Sequence, residues 1–66
     1  MRIFVNGESR QVPESIDMAA LVELLELAGQ RIAVEVNEEL VPRSRFGQYA
    51  LQPDDKVEII HAVGGG

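Results

Sequence analysis

The chain has 66 residues, no cysteine, and eleven acidic against six basic residues, for a formal charge of −5. That length holds one domain with one core and buries only about 60% of the unfolded surface, and without cysteine no disulfide framework or thiolate metal site can staple it, so stability rests on apolar packing. The acidic balance repels phosphate backbones and argues against nucleic-acid binding; no apolar run approaches the roughly 20 residues of a membrane helix, the N-terminus lacks the zones of a signal peptide, and cytoplasmic residence is expected.

From Met1 to Asn6 the residues alternate, Ile3 and Val5 facing one way and Arg2 and Phe4 the other, which is the period of a half-buried strand. Asn6-Gly7 readily takes the positive φ angles of a tight hairpin turn, so Glu8 to Val12 should return antiparallel before Pro13. From Asp17 the spacing changes: Met18, Leu21, Val22, Leu25 and Ala28 recur at helical intervals, with Asp17 as N-cap. Ile16 and Leu21 stand where a hydrophobic staple would place them. Gly29 suits the left-handed position that closes a helix, which gives it about three turns.

Ile32, Val34 and Val36 alternate with Ala33, Glu35 and Asn37 as a third strand, and a short fourth runs through Leu40 and Val41 until Pro42 stops it. The stretch from Arg43 to Ala50 has no clean period; within it Arg43 and Arg45 bracket Ser44 as solvated turn residues. Gln52-Pro53-Asp54-Asp55 is rich in turn formers and should present Lys56 to Ala62 as the last strand, which leads into Val63-Gly64-Gly65-Gly66. No repeat or linker divides the chain, so residues 1–66 read as one domain with a flexible C-terminal tail at 63–66.

The order β-β-α-β-β-β places the first and last strands side by side and parallel, with one main helix on one face of a mixed sheet of four to five strands. This is an α+β chain with the β-grasp arrangement of ubiquitin.

Side-chain catalysis has little to draw on. His61 has no cysteine partner and sits inside a predicted strand, Ser44 has no nearby base in sequence, and nothing has metal-ligand spacing. The glycine run is not a phosphate loop, because no helix follows it and it carries no Lys, Ser or Thr. Without Cβ atoms it can thread a narrow channel in a partner enzyme, and four residues from Val63 reach at most about 14 Å from the domain body. The group delivered there is a carboxylate, which needs activation: attack on the α-phosphate of ATP gives an acyl adenylate, and a sulfur donor displacing AMP leaves a thiocarboxylate. A side chain at Gly65 or Gly66 should clash in the channel.

Ile3-Phe4-Val5-Asn6-Gly7, Val34-Glu35-Val36-Asn37 with Val41-Pro42-Arg43-Ser44, and Asp55-Lys56-Val57-Glu58-Ile59-Ile60 through Val63-Gly64-Gly65-Gly66 together span nearly the whole chain. In these segments the sequence resembles the bacterial thiamine-biosynthesis sulfur carrier proteins, small β-grasp domains that end in Gly-Gly. The resemblance implies that Gly66 is adenylated by a ubiquitin-activating-like enzyme, converted to a thiocarboxylate with sulfur from a donor protein, and used by thiazole synthase. It makes the chain a carrier rather than an enzyme, with no bound cofactor and ATP consumed by its partner. Gly65 and Gly66 fall on the family's terminal pair and Gly64 is an extra glycine before it. The turn before the last strand, usually Gly-Asp, is Asp54-Asp55.

Alternation adds an expected docking surface. If Ile3, Val5, Ile32, Val34, Val36, Val57 and Ile59 face the helix, then Phe4, Glu35, Ile60 and Ala62 lie on the open face, with Phe4 and Ile60 as neighbours beside the tail. Three other readings share parts of this pattern: the sulfur-carrying small subunit of molybdopterin synthase, a lysine-conjugated protein modifier, and a β-grasp interaction module with an inert tail.

Overall fold

The computed structural model describes residues 1–62. Two hairpins and a central strand make the sheet. β1 (Arg2–Val5) and β2 (Glu8–Gln11) form the first hairpin, β3 (Ile32–Val36) and β4 (Glu39–Val41) the second, and β5 (Lys56–His61) lies between them. The order is β2-β1-β5-β3-β4, with β5 parallel to β1 and antiparallel to β3.

Both hairpins turn on two residues with positive φ: Asn6 at 51° with Gly7 at 85°, and Asn37 at 51° with Glu38 at 72°. Paired positive φ angles give the primed turn whose twist matches its flanking strands. The two asparagines also reach sideways to β5. Asn6 Oδ1 accepts from Ile59 N–H at 2.8 Å and its Nδ2 donates to Ile59 C=O at 3.3 Å, so the side chain continues the ladder where β1 has ended. On the other flank, Asn37 Oδ1 accepts from Lys56 N–H at 3.1 Å, while its Nδ2 donates to the carboxylate of Asp55 at 3.0 Å. The exit strand is therefore gripped from both sides by turn residues as well as by neighbouring strands.

The connecting helix α1 (Met18–Leu24) starts where the sequence places it: the Asp17 carboxylate accepts from Ala20 N–H at 2.7 Å. Its end corrects the expectation of three turns closed by Gly29. The helix has 7 residues, and Glu26 takes the left-handed position instead, at φ 63°. Glu26 N–H donates to Glu23 C=O and Leu27 N–H to Val22 C=O, both at 2.9 Å, which is the paired bonding of a Schellman cap. Gly29, at φ 82°, belongs to the turn that follows, and Ala28 is exposed in that turn rather than on a helix face.

The stretch without a sequence period is a 3-10 helix, Arg43–Gln48, which buries Phe46 against the same core. Ile3, Met18, Leu21, Val34, Val36, Leu51 and Val57 are the largest fully buried side chains, so the core lies between one sheet face and α1. Gln52-Pro53-Asp54-Asp55 closes with Asp55 N–H donating to Gln52 C=O at 3.2 Å and Asp54 at φ 67°. Asp54 pairs with Arg2 at 3.1 Å across the turn.

Candidate functional site

β5 sets the site because it passes from the core to the chain's glycine-rich end. Its Val57 and Ile59 are buried while Lys56, Glu58, Ile60 and His61 are exposed. At its end, His61 stands opposite Ile32, and Ala62 N–H donates to Arg31 C=O at 2.9 Å. Gln30 gathers the surroundings: its Oε1 lies 3.0 Å from His61 Nε2, and its C=O accepts from Arg43 Nη2 at 2.6 Å. Val63 and the expected modification and recognition residues Gly64, Gly65 and Gly66 lie outside the described residues.

The open face of the sheet carries the expected docking residues, but in a different arrangement. Ile60 pairs across the strands with Ala33, Glu35 with Glu58, and Leu40 with Glu35. Phe4 pairs with Lys56, four positions from Ile60 along β5, or about 13 Å at the rise of a strand. Phe4 and Ile60 are therefore not neighbours, because the parallel register of β1 leaves β5 to continue past the first hairpin. Phe4 is half-buried beneath the Arg2 guanidinium, 5.1 Å from its ring centroid, and lines a separate shallow concavity with Lys56, Glu58 and Glu38.

The apolar group next to the tail is instead Ile60 with Ala33 and Ala62, extended diagonally to Leu40. Ile60 is 56% exposed and Leu40 66%, so two of the largest exposed apolar side chains share one sheet face. Glu35 sits half-buried beside them. Sequence reasoning missed Ala33 and Leu40. The signal for Leu40 was present: a two-residue turn at Asn37-Glu38 puts Val36 opposite Glu39, and hence Leu40 opposite Glu35 on the open face.

Among the described residues no three His, Asp or Glu side chains are grouped to hold a metal ion. His61 faces an amide, and none of the described carboxylates forms an ion pair with it. What the site offers is an apolar surface beside the end of β5.

A mixed sheet with a parallel central pair, one main helix on one face and a last strand leading to glycines is the build of a ubiquitin-like β-grasp protein. The model of the ThiS family matches residues 3–66. The chain belongs to that family. It is 32% identical to the thiamine biosynthesis protein (ThiS) from Geobacter metallireducens, whose crystal structure superposes with a TM-score of 0.87 over the whole of both chains. The sulfur carrier protein ThiS of Escherichia coli is 26% identical over 66 residues, all of both chains. A thiazole synthase of Paramagnetospirillum magneticum is 39% identical over the same 66 residues, which make up 20% of that longer protein. The chain thus spans about a fifth of the thiazole synthases that it matches.

Proposed function

We propose that this chain is a sulfur carrier of thiamine biosynthesis whose reacting group is the Gly66 carboxylate. The observation that carries this reading is the family match running through Gly66, onto the glycine end of a β-grasp fold. A carboxylate oxygen of Gly66 attacks the α-phosphorus of ATP, pyrophosphate leaves, and the acyl carbon becomes electrophilic. Sulfur at the oxidation level of sulfide attacks that carbon, AMP departs with the carboxylate oxygen, and a thiocarboxylate remains.

ATP belongs to an activating enzyme of the ubiquitin-activating kind, and a donor protein supplies the sulfur. The thiocarboxylate sulfur is then the nucleophile delivered to thiazole synthase. The stretch of thiazole synthase similar to this whole chain supports that partnership, since a carrier joined to its acceptor is held at high effective concentration. Gly64 and Gly65 thread the partner's channel, where a Cβ would have no room. Ile60, Ala33, Ala62 and Leu40 dock the body beside it, with Glu35 at the edge of the contact. Phe4 lies too far along the sheet to share the contact around Ile60. The reaction sequence belongs to the cytoplasm, where ATP is available.

The test is the intact mass of the protein after incubation with ATP, sulfide and the activating enzyme encoded by the same genome. Exchange of one oxygen for sulfur, mapped to Gly66, is expected. Deletion of Gly66 should abolish the exchange while leaving thermal unfolding unchanged. An unaltered mass with an enzyme proven active on another carrier would overturn the proposal and leave an interaction module with an inert tail.

A further inference from the structure

We infer that Arg31 and Arg43 form a basic collar around the root of the tail that docks an acidic protein surface at the mouth of the partner's channel; this rests on the carrier reading above. Charge is unevenly distributed between the two ends of β5. Glu38, Glu39, Asp54 and Asp55 gather where β5 begins, next to the second hairpin and the turn before the strand. Arg2 at that end is paired with Asp54, which leaves Lys56 as the other cation there.

Where β5 ends the sign reverses. Arg31 is exposed and lies opposite Ala62, its C=O holding the Ala62 N–H at 2.9 Å. Arg43 is exposed on the neighbouring connection, and its guanidinium is fixed by the 2.6 Å bond to Gln30 C=O. Gln30 in turn contacts His61, so both arginines are tied through short contacts to the last residues of the strand. Among the described residues the one ion pair is Arg2–Asp54, and the carboxylate of Glu26, whose C=O accepts from Gln30 Nε2, pairs with neither arginine. A carbonyl acceptor directs a guanidinium without neutralising it, and Arg43 therefore presents a full positive charge in a set direction.

A protein of net charge −5 is repelled by acidic surfaces unless it meets them with a locally positive pole. The collar is that pole, and it stands beside Ala62, the last described residue before the tail. The nucleotide is a poorer candidate for its counterpart. Gly66 lies five positions beyond His61, up to about 18 Å when extended, which is beyond the reach of an arginine at the root. Acidic side chains around the channel entrance lie at the right depth, and such contacts mainly set association rate and orientation.

The experiment compares sulfur loading of the full chain with the double variants Arg31→Glu/Arg43→Glu and Arg31→Lys/Arg43→Lys, and with Arg10→Glu on the distant strand β2. Thermal unfolding first verifies that each variant is folded. At low salt the double glutamate should raise KM for the carrier by on the order of tenfold at unchanged kcat, and the gap should narrow as salt is added. The double lysine should stay near wild type, and Arg10→Glu should change KM by less than about twofold. The collar is overturned if Arg10→Glu raises KM as much as the double glutamate, or if the double glutamate loads like wild type at low salt. Binding of free AMP to the isolated chain that is lost in the double glutamate would also overturn it, in favour of a nucleotide site. A wild-type chain that takes no sulfur from an active enzyme overturns the carrier reading itself, and the collar with it.

Discussion

Glu26, Glu38 and Asp54 all hold left-handed backbone conformations, at φ 63°, 72° and 67°. For a residue with a Cβ that region costs about 1–2 kcal/mol, and glycine would remove the cost at the expense of about 0.5–1 kcal/mol of added freedom in the unfolded chain. The net gain from Glu26→Gly is therefore about 0.5–1 kcal/mol, because the cap's bonds run through backbone atoms that the change leaves in place. Thermal denaturation should show a rise in Tm of several degrees for a domain of this size. Asp54→Gly should gain less, since aspartate tolerates the region better and its pairing with Arg2 is lost. That ion pair is itself weak, with side chains 55% and 65% exposed. A fall in Tm for Glu26→Gly would refute the assignment of the cap. These positions also mark where sequence reading stops: Asn6-Gly7 announces its turn by composition, whereas a glutamate in a left-handed position is chosen by surrounding packing and bonding.

At the scale of elements, the strands were legible because a sheet with one buried face forces a two-residue period, which β1, β3 and β5 obey. Asp17 was legible as a cap for the same kind of reason, a side chain placed one residue before an apolar helical face. The 3-10 helix was not, because six residues around one buried Phe46 offer no repeat to read. It nevertheless packs against α1 on the way from β4 to β5. Tyr49 follows it, donating its N–H to Phe46 C=O and accepting from Met18 N–H through its own C=O. Burial raises the Tyr49 phenol above its ordinary value of 10.0, and the charges of Asp55 and Glu39 push in the same direction. A raised value means that the folded chain holds this proton more tightly than the unfolded one. The associated stability is complete below pH 10 and is lost as pH rises from there through the folded value. Thermal unfolding across alkaline pH should show that loss, and Tyr49→Phe should make the curve shallower over the same window. Identical slopes in the two proteins would mean that the phenol is as free to ionise in the fold as out of it.

For the whole molecule, folding and the proposed docking draw on opposite faces of the same strand. Val57 and Ile59 point into the core while Ile60 points away from it, so adjacent residues of β5 should separate the two properties. The composition of the proposed docking face was only half legible: alternation gives the side on which a residue lies, but not how far along the sheet it sits. That second coordinate depends on strand register: the pairing of Phe4 with Lys56 moves Phe4 away from Ile60, and the hairpin turn at Asn37-Glu38 brings Leu40 in opposite Glu35. Replacing Ile60 and Leu40 with serine removes exposed apolar surface, so unfolding should shift by no more than about 0.5 kcal/mol. Sulfur loading should nevertheless slow, with KM for the carrier rising by on the order of tenfold as the apolar contact is lost. Phe4→Ser should leave that KM near wild type. Val57→Ala should show the reverse pattern to the serine pair, a loss of about 1–3 kcal/mol of stability with loading intact below the melting transition. If Phe4→Ser instead impaired loading as much as the Ile60 and Leu40 pair, the contact would have to extend along the whole sheet face, and the register that divides it would not be the one the partner reads.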